Sequence, residues 1–126
     1  MPDLILAIDQ GTHSTRAIVF DMHGRVASSA QQSVSLQRHS RTEIEQTPVE
    51  ILQSMQAVIG SVLDDPAIDR QHIICAGLAT QRSSVVAWDR HSGRPLSPVI
   101  SWQDRRMADS LHGLEDRSDS IRQLTG

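Results

Sequence analysis

The sequence predicts a single α/β domain whose mixed sheet opens with a three-stranded meander. Two observations lead to this fold class. Three stretches with strand patterns follow one another at the N-terminus with only short links between them. One amphipathic helix comes next, and further short apolar runs follow it. A chain of 126 residues has the size of one ordinary domain. The order of elements does not predict the strict strand–helix alternation of a dinucleotide-binding fold.

The predicted meander occupies the first part of the chain. Residues 4–8 form a continuous apolar run, which is typical of a strand buried on both faces. Residues 17–20 form a second apolar run, and the turn residues 21–24 follow it. A third strand is predicted from apolar residues at even spacing: Val26, Ala30, Val34 and Leu36. The polar stretch 31–46 is interpreted as strand and loop because it still carries apolar residues.

The helix after the meander has a well-marked start. Thr47 is placed to cap it, Pro48 takes the first helical position, and Glu50 completes a capping-box pattern. The apolar residues that follow are predicted to share one face: Leu52, Met55, Ile59, Val62 and Leu63. Residues 64–66 are predicted to end this helix.

The second half of the chain is predicted to add short strands and helices. Residues 72–79 indicate another buried strand, in which Cys75 is expected to be an inert buried thiol. Residues 85–88 and 99–102 indicate two more strands. Asp104 is expected to cap a helix that runs through residue 108, and a helical pattern follows near the C-terminus.

Composition excludes several classes of protein. Twelve Lys and Arg against fifteen Asp and Glu give a net charge of −3, which argues against a nucleic-acid partner. A single cysteine excludes an internal disulfide framework and a cysteine-rich zinc site. The six histidines show no metal-ligand spacing. No 18-residue apolar run and no leader pattern are present, so we expect a cytoplasmic chain without a membrane partner.

The first candidate site is the polar segment 9–16, which joins two predicted strands. Asp9 at a strand end is placed to hold a hydrated Mg²⁺, and Gly11 permits close backbone approach to a phosphate. Hydroxyl donors and the positive charge of Arg16 complete the segment. A hairpin turn without a ligand is the alternative, and spacing alone favours that alternative.

Two further polar segments could take part in binding. Gln81 and Arg82, in segment 80–84, are able to hydrogen-bond the hydroxyls of a polar substrate. The third segment, 102–106, begins with a tryptophan. The alternatives are a turn with a solvated arginine and a structural tryptophan beside an exposed basic turn. Taken singly, each segment favours its structural alternative.

Taken together, the three segments resemble a known family. The stretches AIDQGTHSTRA at residues 7–17, TQR at 80–82 and SWQDRR at 101–106 are similar to motifs of the FGGY carbohydrate kinases. The resemblance runs over residues 4–126, and the second and third motifs narrow it towards the glycerol kinase branch.

This resemblance implies an actin-like, ribonuclease H-like fold and ATP-dependent phosphorylation of a hydroxyl of a small polyol or sugar. It implies that Asp9 acts at the Mg²⁺ ion and the phosphates. The residues it implies at the nucleotide are Gly11, Thr12, His13, Ser14 and Arg16. The residues it implies at the substrate are Gln81, Arg82, Ser83, Trp102 and Gln103.

The chain departs from the family pattern at two positions and in length. Ser83 stands where glycerol kinases carry Glu, so a larger polyol or a sugar becomes plausible as substrate. His13 stands where Thr or Ser is usual. Family members continue past residue 126 with the catalytic base and a C-terminal domain. We therefore expect residues 1–126 to be the N-terminal part of the N-terminal domain, inactive alone, in an enzyme that forms a homo-oligomer when complete.

Two other functions remain open from the sequence. One is a stand-alone, non-catalytic actin-like module that binds a phosphate ligand or a partner chain. The other is a ribonuclease H-like nuclease, which needs a cluster of carboxylates for two metal ions. Only Asp9 stands at a suitable strand end for such a cluster.

Overall fold

The computed structural model describes residues 2–126. Its main sheet has four strands in the order β3-β2-β1-β6. The strands are β1 (Leu4–Gln10), β2 (Ser14–Asp21), β3 (Val26–Ser33) and β6 (Ile73–Thr80). Neighbours β1, β2 and β3 pair antiparallel, and β6 pairs parallel to β1. The predicted mixed sheet and its opening meander are confirmed.

The meander turns sharply between β2 and β3. Asp21 accepts hydrogen bonds from the amides of His23 and Arg25 through one carboxylate oxygen, at 2.8 and 2.9 Å. Gly24 has a φ of 77°, a left-handed conformation that side chains with a Cβ rarely adopt. This turn sets the register in which Phe20 pairs with Val26.

Helix α1 (Pro48–Leu63) covers one face of the sheet, over β2 and β3. The face is centred on Ser54, Val58 and Val62, at a spacing of four residues. Leu52, predicted on this face, is 55% exposed because it lies off that row. The core joins both layers and consists of Leu4, Leu6, Ala17, Val19, Val58, Val62 and Ile68.

The start of α1 is as predicted, but its capping bonds are not. Thr47 is the N-cap and Pro48 is the first helical residue, yet no side chain caps the helix. The Thr47 hydroxyl accepts from the Gln37 amide instead, at 3.3 Å. The Glu50 carboxylate accepts from the backbone amide of Ser35 at 2.8 Å. The side chains of Thr47 and Glu50 therefore tie the helix to the segment after β3.

The prediction of a buried strand at residues 72–79 is wrong, because the strand found there, β6, is exposed. It lies at the edge of the sheet, and seven of its eight residues are exposed. Ile74 and Leu78 are 55% and 57% exposed because α1 packs over β2 and β3 and not over β6. Cys75 is also exposed, so the expected buried thiol is wrong. Strand β1 is half-buried on the face away from α1, where a strand buried on both faces was expected.

A second, smaller sheet has the order β4-β5-β7, from β4 (Gln37–Arg38), β5 (Ile44–Gln46) and β7 (Val99–Ile100). The strand predicted at 85–88 is wrong, since only isolated bridges form there, at Val85 and at Trp88. The facing segment contains Pro95 and Pro98, which have no amide to donate to a ladder. The Ala87 amide bonds the Ser97 hydroxyl instead, at 3.0 Å.

The C-terminal part consists of α2 (Ala108–Leu111), a 3₁₀ segment (His112–Arg117) and α3 (Ser118–Thr125). Helix α3 confirms the predicted C-terminal helical pattern. Asp104 does not cap α2, which begins four residues later; its carboxylate instead accepts the amides of Ile44 and Arg106. Within residues 2–126, no helix has both the length and the apolar character needed to cross a bilayer.

Candidate functional site

The three polar segments singled out in the sequence meet beside the C-terminal ends of β1 and β6. Because these strands are parallel neighbours, the loops that follow them leave the same edge of the sheet. The loops after β1 and β6 form an open pocket together with the third segment, which is the turn after β7. The residues that line it are Asp9, Gly11, Thr12, Thr80, Gln81, Arg82, Ser83 and Trp102.

The loop between β1 and β2 is held in a tight turn. The Gly11 amide donates to the Ser14 carbonyl at 2.9 Å, and a Cβ on Gly11 would lie 3.1 Å from that oxygen. A larger residue would therefore crowd the turn. At the apex, the amides of Thr12 and His13 donate to no acceptor within residues 2–126. Two adjacent free amides can bind an anion such as a phosphate.

Asp9 and Arg16 are paired across β1 and β2 and thus lie on the same face of the sheet. The Asp9 side chain is exposed at the pocket wall. The Arg16 guanidinium turns towards β3 and donates two hydrogen bonds to Gln31, at 3.1 and 2.9 Å. The Asp9 carboxylate therefore faces the pocket without an ion-pair partner among the described residues.

A ring of hydrogen bonds joins the three segments. The Trp102 indole donates to the Thr12 hydroxyl at 2.9 Å. The hydroxyls of Thr12 and Ser84 both donate to the side-chain carbonyl of Gln81, at 3.3 and 3.2 Å. The Trp102 amide donates to the Ser84 hydroxyl at 3.1 Å, which closes the ring. Gln81 and Trp102 are thus joined directly to Thr12 of the first loop.

Arg82 and Ser83 lie in the pocket with unengaged side chains. Arg82 is exposed, and its guanidinium makes no hydrogen bond within residues 2–126. Ser83 is the one non-glycine residue of the described chain with a positive φ, at 60°. This left-handed conformation costs about 1–2 kcal/mol for a residue with a Cβ.

Four of the predicted site residues do not line the pocket. His13 is exposed at the loop apex, and Ser14 supplies the carbonyl that holds the turn. Arg16 is engaged with β3, as described above. Gln103 faces the other sheet, where its side-chain carbonyl accepts from Arg38 at 2.8 Å.

Sequence reasoning missed the buried residue behind the ring. Gln46, at the end of β5, has no exposed surface. Its amide group donates to the Thr12 carbonyl at 2.8 Å and to the Ser35 carbonyl at 3.3 Å. Its own carbonyl accepts from Gln81 at 2.9 Å. The only signal in the sequence is a polar residue two positions after Ile44, on the inward face of a strand.

An ion-pair network holds the turn that carries Trp102. Arg106 contacts Glu45 at 2.7 Å and Asp104 at 2.8 Å. Hydrogen bonds from Arg106 and from backbone amides hold the pKa of Asp104 well below its usual range. The hydrogen bonds that Arg106 donates to Asp104 and Glu45 raise the pKa of its guanidinium further above its ordinary value. The turn is therefore fixed to β5, next to Gln46.

The donor set suits a hydrated magnesium ion better than a metal held wholly by protein. Within residues 2–126, no group of three or more His, Cys, Asp or Glu side chains could hold a metal ion. One carboxylate beside free amides is what Mg²⁺ bound together with phosphate requires, because this ion keeps several waters and takes few protein ligands. Asp9 fits that role.

Comparisons with known proteins agree on one family. The profile of the "FGGY family of carbohydrate kinases, N-terminal domain" matches residues 4–126. A glycerol kinase of Natranaerobius thermophilus is 36% identical over 128 aligned residues, which cover 100% of this chain and 26% of that protein.

Solved structures give the same picture. The glycerol kinase of Plasmodium falciparum, solved with ADP, superposes with a TM-score of 0.81 at 28% identity. The aligned region covers 91% of this chain and 23% of the Plasmodium chain. The gluconate kinase of Lactobacillus acidophilus superposes with a TM-score of 0.83 at 20% identity. The aligned region covers 97% of this chain and 24% of the Lactobacillus chain. The fold is therefore the actin-like, ribonuclease H-like one. The chain spans about a quarter of the length of the relatives that it matches.

Proposed function

Because this chain belongs to the FGGY family of carbohydrate kinases, we propose that it forms the N-terminal part of an ATP-dependent kinase that phosphorylates a hydroxyl of a polyol or sugar. One observation carries the proposal. The first loop, the Gln81–Arg82 segment and Trp102 converge on one pocket, although they are far apart in the chain. A phosphate-binding loop and a hydroxyl-binding segment must adjoin for phosphoryl transfer between them.

The residues of the first loop have distinct roles in this proposal. The free amides of Thr12 and His13 bind phosphate oxygens of the nucleotide, and Gly11 permits the tight turn that exposes them. Asp9 holds Mg²⁺ through water or directly. When bound, this ion neutralises charge on the transferring phosphoryl group. Ser14 holds the turn through its carbonyl, Arg16 is bonded to Gln31 on β3, and neither residue lines the pocket.

The substrate side of the pocket is formed by three residues. Arg82 donates hydrogen bonds to substrate hydroxyls with a guanidinium that has no partner among the described residues. The Trp102 ring, 54% exposed, forms an apolar wall for carbon atoms of a polyol. Ser83 replaces the Glu expected of glycerol kinases, and a serine cannot accept two hydroxyls as a carboxylate does. A substrate larger than glycerol is therefore proposed.

Activity is expected to need more than this chain. Phosphoryl transfer depends on groups positioned on both sides of the substrate. Residues 2–126 contribute an open pocket whose lining has one carboxylate, that of Asp9. We therefore expect the catalytic base and the adenine site to come from a further domain. We also expect a cytoplasmic enzyme that has no nucleic-acid or membrane partner and that assembles as a homo-oligomer.

The test combines binding and turnover. The ¹⁵N-labelled chain is titrated with MgADP and, separately, with glycerol, xylitol and gluconate, while amide signals of residues 9–13 and 80–84 and the Trp102 indole are followed. Perturbation confined to these signals supports the proposal. A coupled assay on the same chain should show no turnover. The proposal would be contradicted if neither the nucleotide nor any of the polyol and sugar-acid ligands moved these signals and only unrelated ligands did. Turnover by this chain at enzyme-like rates would also contradict it.

A further inference from the structure

We propose that Gln46 is a positioning residue that sets the hydrogen-bond direction of the whole pocket ring, although it does not line the pocket itself. The ring is Trp102, Thr12, Gln81 and Ser84. The inference rests on the proposed function only for what the pocket binds, since every contact that carries it lies within the described residues.

The direction begins at two groups that can only accept. The backbone carbonyls of Thr12 and Ser35 have no proton to give, so the side-chain NH₂ of Gln46 must point at them. The side-chain carbonyl of Gln46 must then face the other way, towards Gln81. Gln46 is fully buried, so no water competes for these positions.

Gln81 takes its orientation from Gln46. Its NH₂ group donates to the Gln46 carbonyl at 2.9 Å and lies 3.4 Å from the side-chain carbonyl of Gln10. Its own carbonyl is thereby turned to the hydroxyls of Thr12 and Ser84. If the Gln81 amide were flipped, two carbonyl oxygens would face each other across the Gln46 contact, which is repulsive.

The hydrogen bond at the far end of the ring agrees with this direction. The Trp102 indole can only donate, and it donates to the Thr12 hydroxyl. That hydroxyl uses its proton on Gln81 and one lone pair on Trp102, so it presents one free lone pair to the pocket. The oriented ring thus offers an acceptor at Thr12, which suits a neutral hydroxyl donor and disfavours an anion at that point.

The test uses the two tryptophans as probe and internal control. The indole N–H signals of Trp102 and Trp88 are followed by NMR in the ¹⁵N-labelled chain and assigned with Trp88→Phe. In Gln46→Met, which keeps the side-chain length, we expect the Trp102 indole proton to move upfield and to exchange with solvent several-fold faster. The Trp88 signal should not change, because the Trp88 indole takes part in none of the hydrogen bonds of the ring. Gln32→Met, at an exposed glutamine of β3 whose side chain makes no hydrogen bond among the described residues, is the matched control and should leave both signals unchanged.

A second variant separates positioning from general support. Gln81→Met breaks the same series of hydrogen bonds one step later. It should shift the Trp102 indole proton upfield and speed its exchange in the same way. The double variant should add nothing beyond the larger single effect, since both lie on one path. A folded Gln46→Met with a wild-type Trp102 signal, or additive shifts in the double variant, would overturn the proposal. If Gln46→Met does not fold, an unchanged Trp102 signal in Gln81→Met overturns it equally. None of these readouts needs turnover, so a failure to phosphorylate any polyol would count against the proposed function alone.

Discussion

The hydroxyl of Thr15 on β2 donates a hydrogen bond of 2.7 Å to the hydroxyl of Ser54 on α1, and neither residue has exposed surface. The direction follows because Ser54 uses its own proton on the Ile51 carbonyl, also at 2.7 Å. One polar pair is thus enclosed between the helix and the sheet, beneath the first loop of the pocket.

This pair should be worth measurable stability. Thr15→Val is expected to lower the free energy of unfolding by about 1 kcal/mol, because an enclosed hydrogen bond is lost without a change in shape. A double-mutant cycle with Ser54→Ala should give a coupling energy of about 0.5–1.5 kcal/mol by urea unfolding. Ser61→Ala, at an exposed serine of the same helix, corrects for helix propensity. A coupling energy near zero would mean that the two hydroxyls do not interact.

The Asp104 carboxylate predicts how stability falls in acid. Its pKa is held below the unfolded value of about 3.9, chiefly by hydrogen bonds from Arg106. The unfolded chain therefore takes up a proton that the folded chain does not. This contribution is fully present above the unfolded pKa and is lost as the pH falls through it towards the folded pKa.

Asp104→Asn should accordingly destabilise the chain more at pH 7 than at pH 3, as measured by urea unfolding at each pH. Asp116→Asn, at an exposed carboxylate without hydrogen bonds among the described residues, is the control and should show no such difference. The acid limb of the stability curve should flatten only in part, because the pKa values of Asp21, Asp65 and Asp89 are also lowered. Equal destabilisation at both pH values would contradict the role given to Asp104.

Cys75 should react readily in the folded chain. Its thiol lies on the exposed edge strand β6, on the same face as Ile5 and away from α1. Ellman's reagent should modify it in native buffer at a rate close to that of the urea-unfolded chain. Cys75→Ser supplies the blank. A native rate slower by orders of magnitude would show that another part of the polypeptide covers β6 in solution.

Asp9 should affect turnover more than binding in the complete kinase polypeptide. Asp9→Ala is expected to lower kcat at least about 100-fold, equal to about 2.7 kcal/mol in the barrier, with a much smaller change in the KM for the polyol. The reason is its proposed contact with the metal and the transferring phosphoryl group. Asp3→Ala, an exposed carboxylate before β1, is the matched control. A kcat within a few-fold of wild type would make Asp9 a structural residue.

Ser83 should determine which polyol the complete kinase prefers. Ser83→Glu is expected to raise kcat/KM for glycerol relative to longer polyols, since the carboxylate restores an acceptor beside Arg82. Ser83→Gln introduces a side chain of similar volume to Glu without the charge. It should change kcat/KM for glycerol relative to longer polyols less. Both variants keep the left-handed backbone, so their conformational costs match. A wild-type enzyme that already prefers glycerol would contradict the proposal.

Elements whose evidence is local could be predicted from the sequence. The two-residue alternation of β3 and the helical pattern of α1 with Pro48 at its first position are properties of neighbouring residues. The three polar segments of the site were also recognisable, because each follows a strand. These predictions hold because backbone period and turn chemistry are decided within a few residues.

Tertiary structure alone decided which groups face one another. The side chains of Thr47 and Glu50 bond Gln37 and Ser35, which the fold brings to the start of the helix, and do not bond the helix amides. Cys75 is exposed although its strand reads as apolar, because burial depends on which layer packs over a strand.

Gln46 shows the same limit at the site. Its three partners lie 34, 11 and 35 positions away in the chain, so no local pattern could name them. From the sequence alone, a polar side chain in a strand is assigned to the face that contacts solvent. Only the closed fold supplies the donors and acceptors that make its burial stable.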